Sequence, residues 1–234
     1  SGSDVTDGSV AKIELFEAGV KQLSLSNLSL SYDELMVIAA DARPEDLLQG
    51  DDVVNGSAAG DLLWGFDGND TIYAGNGYDR LYGGDGNDKL ASSAGNNRIE
   101  GGNGDDILVS GDGIDQLFGG NGADKLYSSN DNTNDVLFGG EGTDEFLFLA
   151  SEQGVGVDSI RDFSSSQGDK LYIAGDNAQF TLTQLRGNHS RIDLSADNKA
   201  MGSIDVYGQI TEADISFDAS AFENISPDNW AAIA

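Results

Sequence analysis

From residue 54 to residue 146 an apolar residue returns every nine positions. Val54, Leu63, Ile72, Leu81, Leu90, Ile99, Leu108, Leu117 and Leu126 hold the period without slippage. A two-residue insertion within Ser128–Asn134 shifts the phase, and Leu137 and Phe146 resume it. Two residues before each stands a polar partner: Asp52, Asp61, Asp70, Asp79, Asp88, Asn97, Asp106, Asp115, Asp124, Asp135 and Asp144. A disordered low-complexity tract would not keep an aliphatic residue in strict phase. The period therefore predicts repeated units, each a six-residue turn followed by a three-residue strand. In Arg80-Leu81-Tyr82 or Lys89-Leu90-Ala91 the middle side chain points opposite to its neighbours, so the apolar column faces inward. Two units make a coil of 18 residues with a strand on each side, and successive coils lie roughly 4.8 Å apart.

The flanks do not repeat. Leu23, Leu25, Leu28 and Leu30 alternate with serines and read as a strand or hairpin. Ser31-Tyr32-Asp33-Glu34 has capping-box spacing ahead of Leu35-Met36-Val37-Ile38, which predicts a short helix to about residue 40. Pro44-Glu45-Asp46-Leu47-Leu48 predicts a further turn of helix. Strands are expected at 158–163, 169–173, Phe180–Leu185, Arg191–Leu194 and Ser203–Tyr207. The chain thus divides into an N-terminal cap (1–49), a repeat region (50–148) and a β-rich C-terminal cap (149–234), the caps covering ends that would expose core. Ser1-Gly2-Ser3 opens the chain without an initiating Met or a secretory signal, which is the expectation for a piece of a longer protein.

Charge changes the picture. The 234 residues carry 12 Lys and Arg against 41 Asp and Glu, a formal charge of −29. That argues against nucleic acid or an anionic membrane as partner. Cysteine is absent and His189 is the only histidine, which excludes thiolate sites, disulfides and any metal site needing two imidazoles. No apolar run approaches the roughly 18–20 residues of a membrane span. Residues 51–150 hold four cations against nineteen acids, sixteen of them Asp. Stacking places Asp52, Asp70, Asp88, Asp106, Asp124 and Asp144 on one edge, and Asp61, Asp79, Asn97, Asp115 and Asp135 on the other. Carboxylates about 5 Å apart repel. The cations Arg80, Lys89, Arg98 and Lys125 all lie at strand starts rather than in the turns. Compensation must come from solution, and hard oxygen donors without His or Cys select Ca²⁺ over Mg²⁺. An EF-hand starting at Asp131 fails, because Val136 and Gly142 stand where its glycine and glutamate belong.

Gly83-Gly84-Asp85-Gly86-Asn87-Asp88-Lys89-Leu90-Ala91 resembles the G-G-x-G-x-D-x-U-x nonapeptide of RTX (repeats-in-toxin) proteins; 101–109, 119–127 and 139–147 fit it as well. The resemblance implies an all-β fold, a right-handed parallel β-roll (a β-solenoid) with a small α+β N-terminal cap and a β-rich C-terminal cap. It implies several Ca²⁺ ions, each held between turns by the ladder aspartates named above. Backbone carbonyls of Gly65, Asp67, Gly68, Gly75, Gly77, Gly83, Asp85, Gly86, Gly101, Asn103, Gly104, Gly119, Asn121 and Gly122 would complete the shells. Asn97, the turn Gly56-Ser57-Ala58-Ala59-Gly60-Asp61 and the insertion before Asp135 depart from the pattern, which predicts weaker or missing sites there. The family further implies a secreted, extracellular or bacterial cell-surface protein, with an upstream passenger and a C-terminal signal for type I secretion machinery at 222–234.

No H-E-x-x-H, G-x-S-x-G or phosphate-loop motif is present, and His189 reads as an exposed turn residue, so no catalysis is expected of this chain. An alternative role is an adhesive or polysaccharide-binding face. Trp64 and Tyr82 would stack on sugar rings and Arg80 and Arg98 would bind uronates, unless flanking segments bury that face.

Overall fold

In the computed structural model, the described residues are 5–6, 9–10, 12–17, 20–26, 48–129, 131–149, 156–175, 177–197, 199–217 and 221. The helix expected at 31–40 lies outside them, as does the helical turn at 44–48 apart from Leu48.

The repeats close into two facing parallel sheets. One is built from six-residue strands, Leu62–Asp67, Arg80–Asp85, Arg98–Asn103, Gln116–Asn121 and Val136–Glu141. The other uses three-residue strands, Val53–Asn55, Thr71–Tyr73, Lys89–Ala91, Ile107–Val109 and Lys125–Tyr127. The sheets are therefore unequal, whereas the nonapeptide pattern predicts three-residue strands throughout. The longer strands run into the first three residues of the following turn, where Gly84 and Gly102 pair with each other in register. The expected coil length holds: Ile99 pairs with Leu81 and Leu117, and Leu90 with Ile72 and Leu108. Every one of the eleven periodic apolar side chains is at most 2% exposed, and together they fill the space between the sheets.

Parallel stacking continues past the nonapeptides. Gly156–Ser164 pairs with Val136–Glu141 and Lys170–Ala174 with Glu145–Leu149, so Ile160 and Leu171 extend the inner columns. Lys199–Gln209 adds in parallel to Gly156–Ser164 and folds back on His189–Ala196 and Ala178–Gln184 as an antiparallel meander. The strands expected at 180–185, 191–194 and 203–207 are these three, each longer than the sequence suggests. His189 is not an exposed turn residue: it opens a strand, stacks on Tyr207 at 4.4 Å and is half-buried. At the other end, Val20–Ser26 pairs antiparallel with both Lys12–Glu17 and Val53–Asn55; Leu23 and Leu25 of the leucine alternation lie in this strand, and Leu28 and Leu30 lie outside the described residues.

The outer faces differ. On the short-strand sheet Ala91, Val109 and Leu147 are fully buried and Ala221 packs against them. On the long-strand sheet Trp64 stacks on Tyr82 at 4.0 Å and Phe118 on Phe138 at 4.8 Å, with Trp64 43% exposed.

Candidate metal centre

The turns place the acidic ladders at the two edges where the sheets meet. Along one edge each aspartate's backbone N–H donates to Oδ1 of the aspartate one coil on. Asp52 donates to Asp70, Asp70 to Asp88, Asp88 to Asp106 and Asp106 to Asp124, each at 2.8 Å, and Asp124 donates to Asp144 at 3.0 Å. Along the other edge Asp61 donates to Asp79, Asp79 to Asn97, Asn97 to Asp115 and Asp115 to Asp135, at 2.6–2.9 Å. One carboxylate oxygen per residue thus serves the stack.

The other oxygen has no such role. Oδ2 of Asp70, Asp79, Asp88, Asp106, Asp115, Asp124, Asp135 and Asp144 is buried and accepts no hydrogen bond. A buried carboxylate oxygen without a partner is costly. Burial pushes these acids up, to about 8 for Asp106, about 7 for Asp70, Asp115, Asp124 and Asp135, and about 6 for Asp88 and Asp144. The ladder hydrogen bond opposes that rise, and neighbouring carboxylates add to it for most members, the next rung Asp124 among them for Asp106. An adjacent cation would offset both the burial and the mutual repulsion.

Carbonyl oxygens supply the rest of a hard donor set. A Cβ built on Gly83 would stand 2.2 Å from Asp88 Oδ2 and 2.5 Å from the Gly101 carbonyl; on Gly101 it would stand 2.2 Å from Asp106 Oδ2 and 2.6 Å from the Gly119 carbonyl. Gly65 and Gly119 repeat the arrangement. Carboxylate and carbonyl oxygens therefore line one cradle that only the absence of a side chain keeps open. Of the other expected carbonyls, those of Gly68, Gly86, Gly104 and Gly122 stand 1.8–2.1 Å from where a Cβ on the glycine one coil on would lie. Those of Asp85, Asn103 and Asn121 already accept the N–H groups of Gly68, Gly86 and Gly104. Among the described residues no three Asp, Glu or His side chains converge, so backbone carbonyls would have to complete any oxygen shell around the ladder carboxylates.

The weak points sit where the pattern departs. Asp61 spends Oδ2 on the Ser57 N–H at 2.7 Å within its own turn. Asn97 turns its amide N–H₂ towards Ser92 Oγ and the Gly95 carbonyl, both at 3.1 Å. Asp52, at the end of its ladder, still has its pKa raised to about 6 by burial.

Two features escape the nonapeptide count. The coils lengthen after Phe146, yet both ladders continue: Asp135 N–H donates to Asp158 Oδ1 at 2.9 Å and Asp144 N–H to Asp169 Oδ1 at 3.1 Å. Asp158 Oδ2 is orphaned like the others, whereas Asp169 Oδ2 accepts the Ser164 N–H and closes its ladder. A second ladder runs at the preceding turn position in the opposite sense, with Asn69, Asn87, Asp105 and Ala123 N–H groups donating back to Asp51, Asn69, Asn87 and Asp105 at 2.8 Å. The Asn or Asp that precedes Asp52, Asp70, Asp88 and Asp106 is its sequence signal.

The residues of the alternative ligand face lie on the long-strand sheet. Arg80 is exposed and in register with Arg98, which pairs with Glu100 and lies 4.0 Å over Phe118.

Residues 48–81, 82–117, 100–133 and 118–147 match the family model of the RTX calcium-binding nonapeptide repeat, in four copies. No curated protein matches the chain. Among solved structures it is similar to the extracellular lipase LipA of Serratia marcescens, at 18% identity over 70% of this chain, with a TM-score of 0.28. It spans 39% of that lipase chain. It is also similar to the AlgE6R3 subunit of the Azotobacter vinelandii mannuronan C5-epimerase, at 20% identity, covering 76% of this chain and 86% of that one, with a TM-score of 0.25.

Proposed function

We propose, from the premise that residues 48–147 are RTX calcium-binding nonapeptide repeats, that the chain is a calcium-triggered folding module of a larger secreted protein. The observation that carries this reading is the row of buried, partnerless Oδ2 atoms facing carbonyl-lined cradles. The ladder aspartates Asp70, Asp88, Asp106, Asp124 and Asp144, with the carbonyls of Gly83, Gly101, Gly119 and Gly139, would hold calcium. Bound calcium supplies the positive charge that the stacked carboxylates lack. Because the stacked state alone gathers these oxygens, binding energy becomes folding energy. Extracellular calcium modules commonly bind with Kd of about 10⁻⁴–10⁻³ M, so the acidic repeats would stay expanded at cytosolic calcium and fold outside the cell. In this reading 50–148 is the switch, 1–49 and 149–234 cap it, and type I secretion machinery exports it behind an upstream passenger. The test is a calcium titration of the chelated chain by far-ultraviolet circular dichroism. β signal should rise across the millimolar range and fall again with EDTA; a spectrum that ignores both reagents rejects the proposal.

A second reading has one specific support, the Trp64–Tyr82 stack, with Trp64 43% exposed, beside Arg80 and Arg98 on the long-strand sheet. That surface would carry polysaccharide adhesion. Glycan-array or polyuronate binding that disappears in a Trp64→Ala, Tyr82→Ala double variant would favour it, and no binding by the calcium-loaded chain would remove it.

A further inference from the structure

The two edges of the roll are chemically unequal at the first position of each turn. On one edge that position is Gly65, Gly83, Gly101, Gly119 and Gly139. None of these five has a positive φ, so backbone conformation does not demand glycine there. Space does: an added Cβ would stand 2.2–2.3 Å from the Oδ2 of the aspartate closing the same turn. On the opposite edge the position is Gly56, then Ala74, Ser92, Ser110 and Ser128, the last four buried at 2% exposure or less. A methyl or hydroxymethyl group there occupies the space that the glycine edge leaves open beside its carboxylates.

The charge ladders differ in the same sense. The glycine edge runs unbroken from Asp52 to Asp169. The serine edge contains the neutral Asn97, loses Asp61 Oδ2 to Ser57, and carries the two-residue insertion inside the turn that Asp135 closes. It nevertheless keeps orphaned oxygens on Asp79, Asp115, Asp135 and Asp158, so it is a poorer edge rather than an inert one.

We infer that the roll carries two classes of calcium site, a tight class along the glycine edge and a loose class along the serine edge, filled in that order. This rests on the calcium reading above and assigns its affinities to particular turns. Five cradles with an open first position make the first class. Turns in which a side chain fills that position, or an amide replaces the acid, make the second.

The test starts from the whole chain folded at saturating calcium and withdraws calcium with a graded chelator. Bound ions are counted by native mass spectrometry and β structure by circular dichroism. Loose ions should leave at free calcium at least about tenfold higher than tight ones, with β signal retained between the two steps. Gly101→Ala with Gly119→Ala should bring the second step to higher calcium and leave the first in place. Ser92→Gly with Ser110→Gly, which asks nothing new of the backbone, should move the first step towards the second. Loss of all ions in one step, or an unmoved first step in the serine-to-glycine variant, overturns the inference. Absence of bound calcium in the unaltered chain would instead strike the parent reading.

Discussion

The backbone N–H of Asp88 donates to Oδ1 of Asp106 at 2.8 Å, and Oδ2 of the same Asp106 is buried with nothing to accept. The two oxygens of one carboxylate are therefore in different situations: one stacks the coils, and the other, in the proposed reading, would hold calcium. Asp106→Asn separates them, because an amide oxygen can still accept the Asp88 N–H, as Asn97 accepts that of Asp79. The variant should hold more residual β structure in EDTA, because a buried amide carries no charge and needs no proton taken up on folding. It should need severalfold more calcium to complete folding. Paired circular-dichroism titrations read both effects, and an unchanged calcium midpoint would remove Asp106 from the site.

The metal-free roll should prefer acid. In the folded state burial raises Asp88 and Asp144 to about 6, Asp70, Asp115, Asp124 and Asp135 to about 7 and Asp106 to about 8, from 3.8. Folded-state values above unfolded ones mean that the native ladder holds protons the unfolded chain has released. Stability is then greatest below the unfolded value and is lost as pH climbs from about 4 to about 8. In EDTA, β signal should be larger at pH 5 than at pH 8. Calcium must displace those protons, so its folding midpoint should rise as pH falls from 8 to 6, by up to about tenfold per unit for each proton released. A chelated chain more structured at pH 8 than at pH 5 contradicts the assignment.

Much of this was legible because a solenoid repeats its physics every coil. The inward column from Val54 to Phe146 and the edge assignment of each aspartate follow from a fixed nine-residue period and strand alternation. The continuation through Asp158 and Asp169 was hidden because those coils are 23 and 25 residues long, so counting loses the phase while the backbone pairing keeps it. The unequal strand lengths were hidden for another reason. Whether Gly83–Asp85 lies in a turn or extends Arg80–Tyr82 depends on pairing with the coils above and below, which no local pattern encodes.

Core packing offers a control independent of metal. Leu90 is fully buried between Ile72 and Leu108, while its neighbour Lys89 is exposed. Leu90→Ala should cost about 3 kcal/mol in chemical denaturation at saturating calcium. Lys89→Ala should change stability by less than about 0.5 kcal/mol. Equal losses would mean that the periodic leucines do not form the core.

Asn97 gives the most direct contrast within the ladders. Its Oδ1 holds the Asp79 N–H at 2.9 Å, and its amide nitrogen donates to the Gly95 carbonyl at 3.1 Å. Asn97→Asp would keep the first contact and set a carboxylate oxygen against a carbonyl oxygen in place of the second. Without calcium that is repulsive, so the variant should lose stability in EDTA. With calcium the same pair of oxygens becomes a better donor set, so the gap between chelated and saturated stability should widen. Alanine scanning should run the other way along the ladders. Asp88→Ala removes an orphaned carboxylate oxygen as well as a stacking acceptor and should raise the calcium midpoint by about tenfold, whereas Asn97→Ala removes a stacking acceptor and two amide contacts but no charge and should move it by less than about threefold. Equal midpoints for the two alanine variants would show that charge at the ladder position does not set calcium affinity.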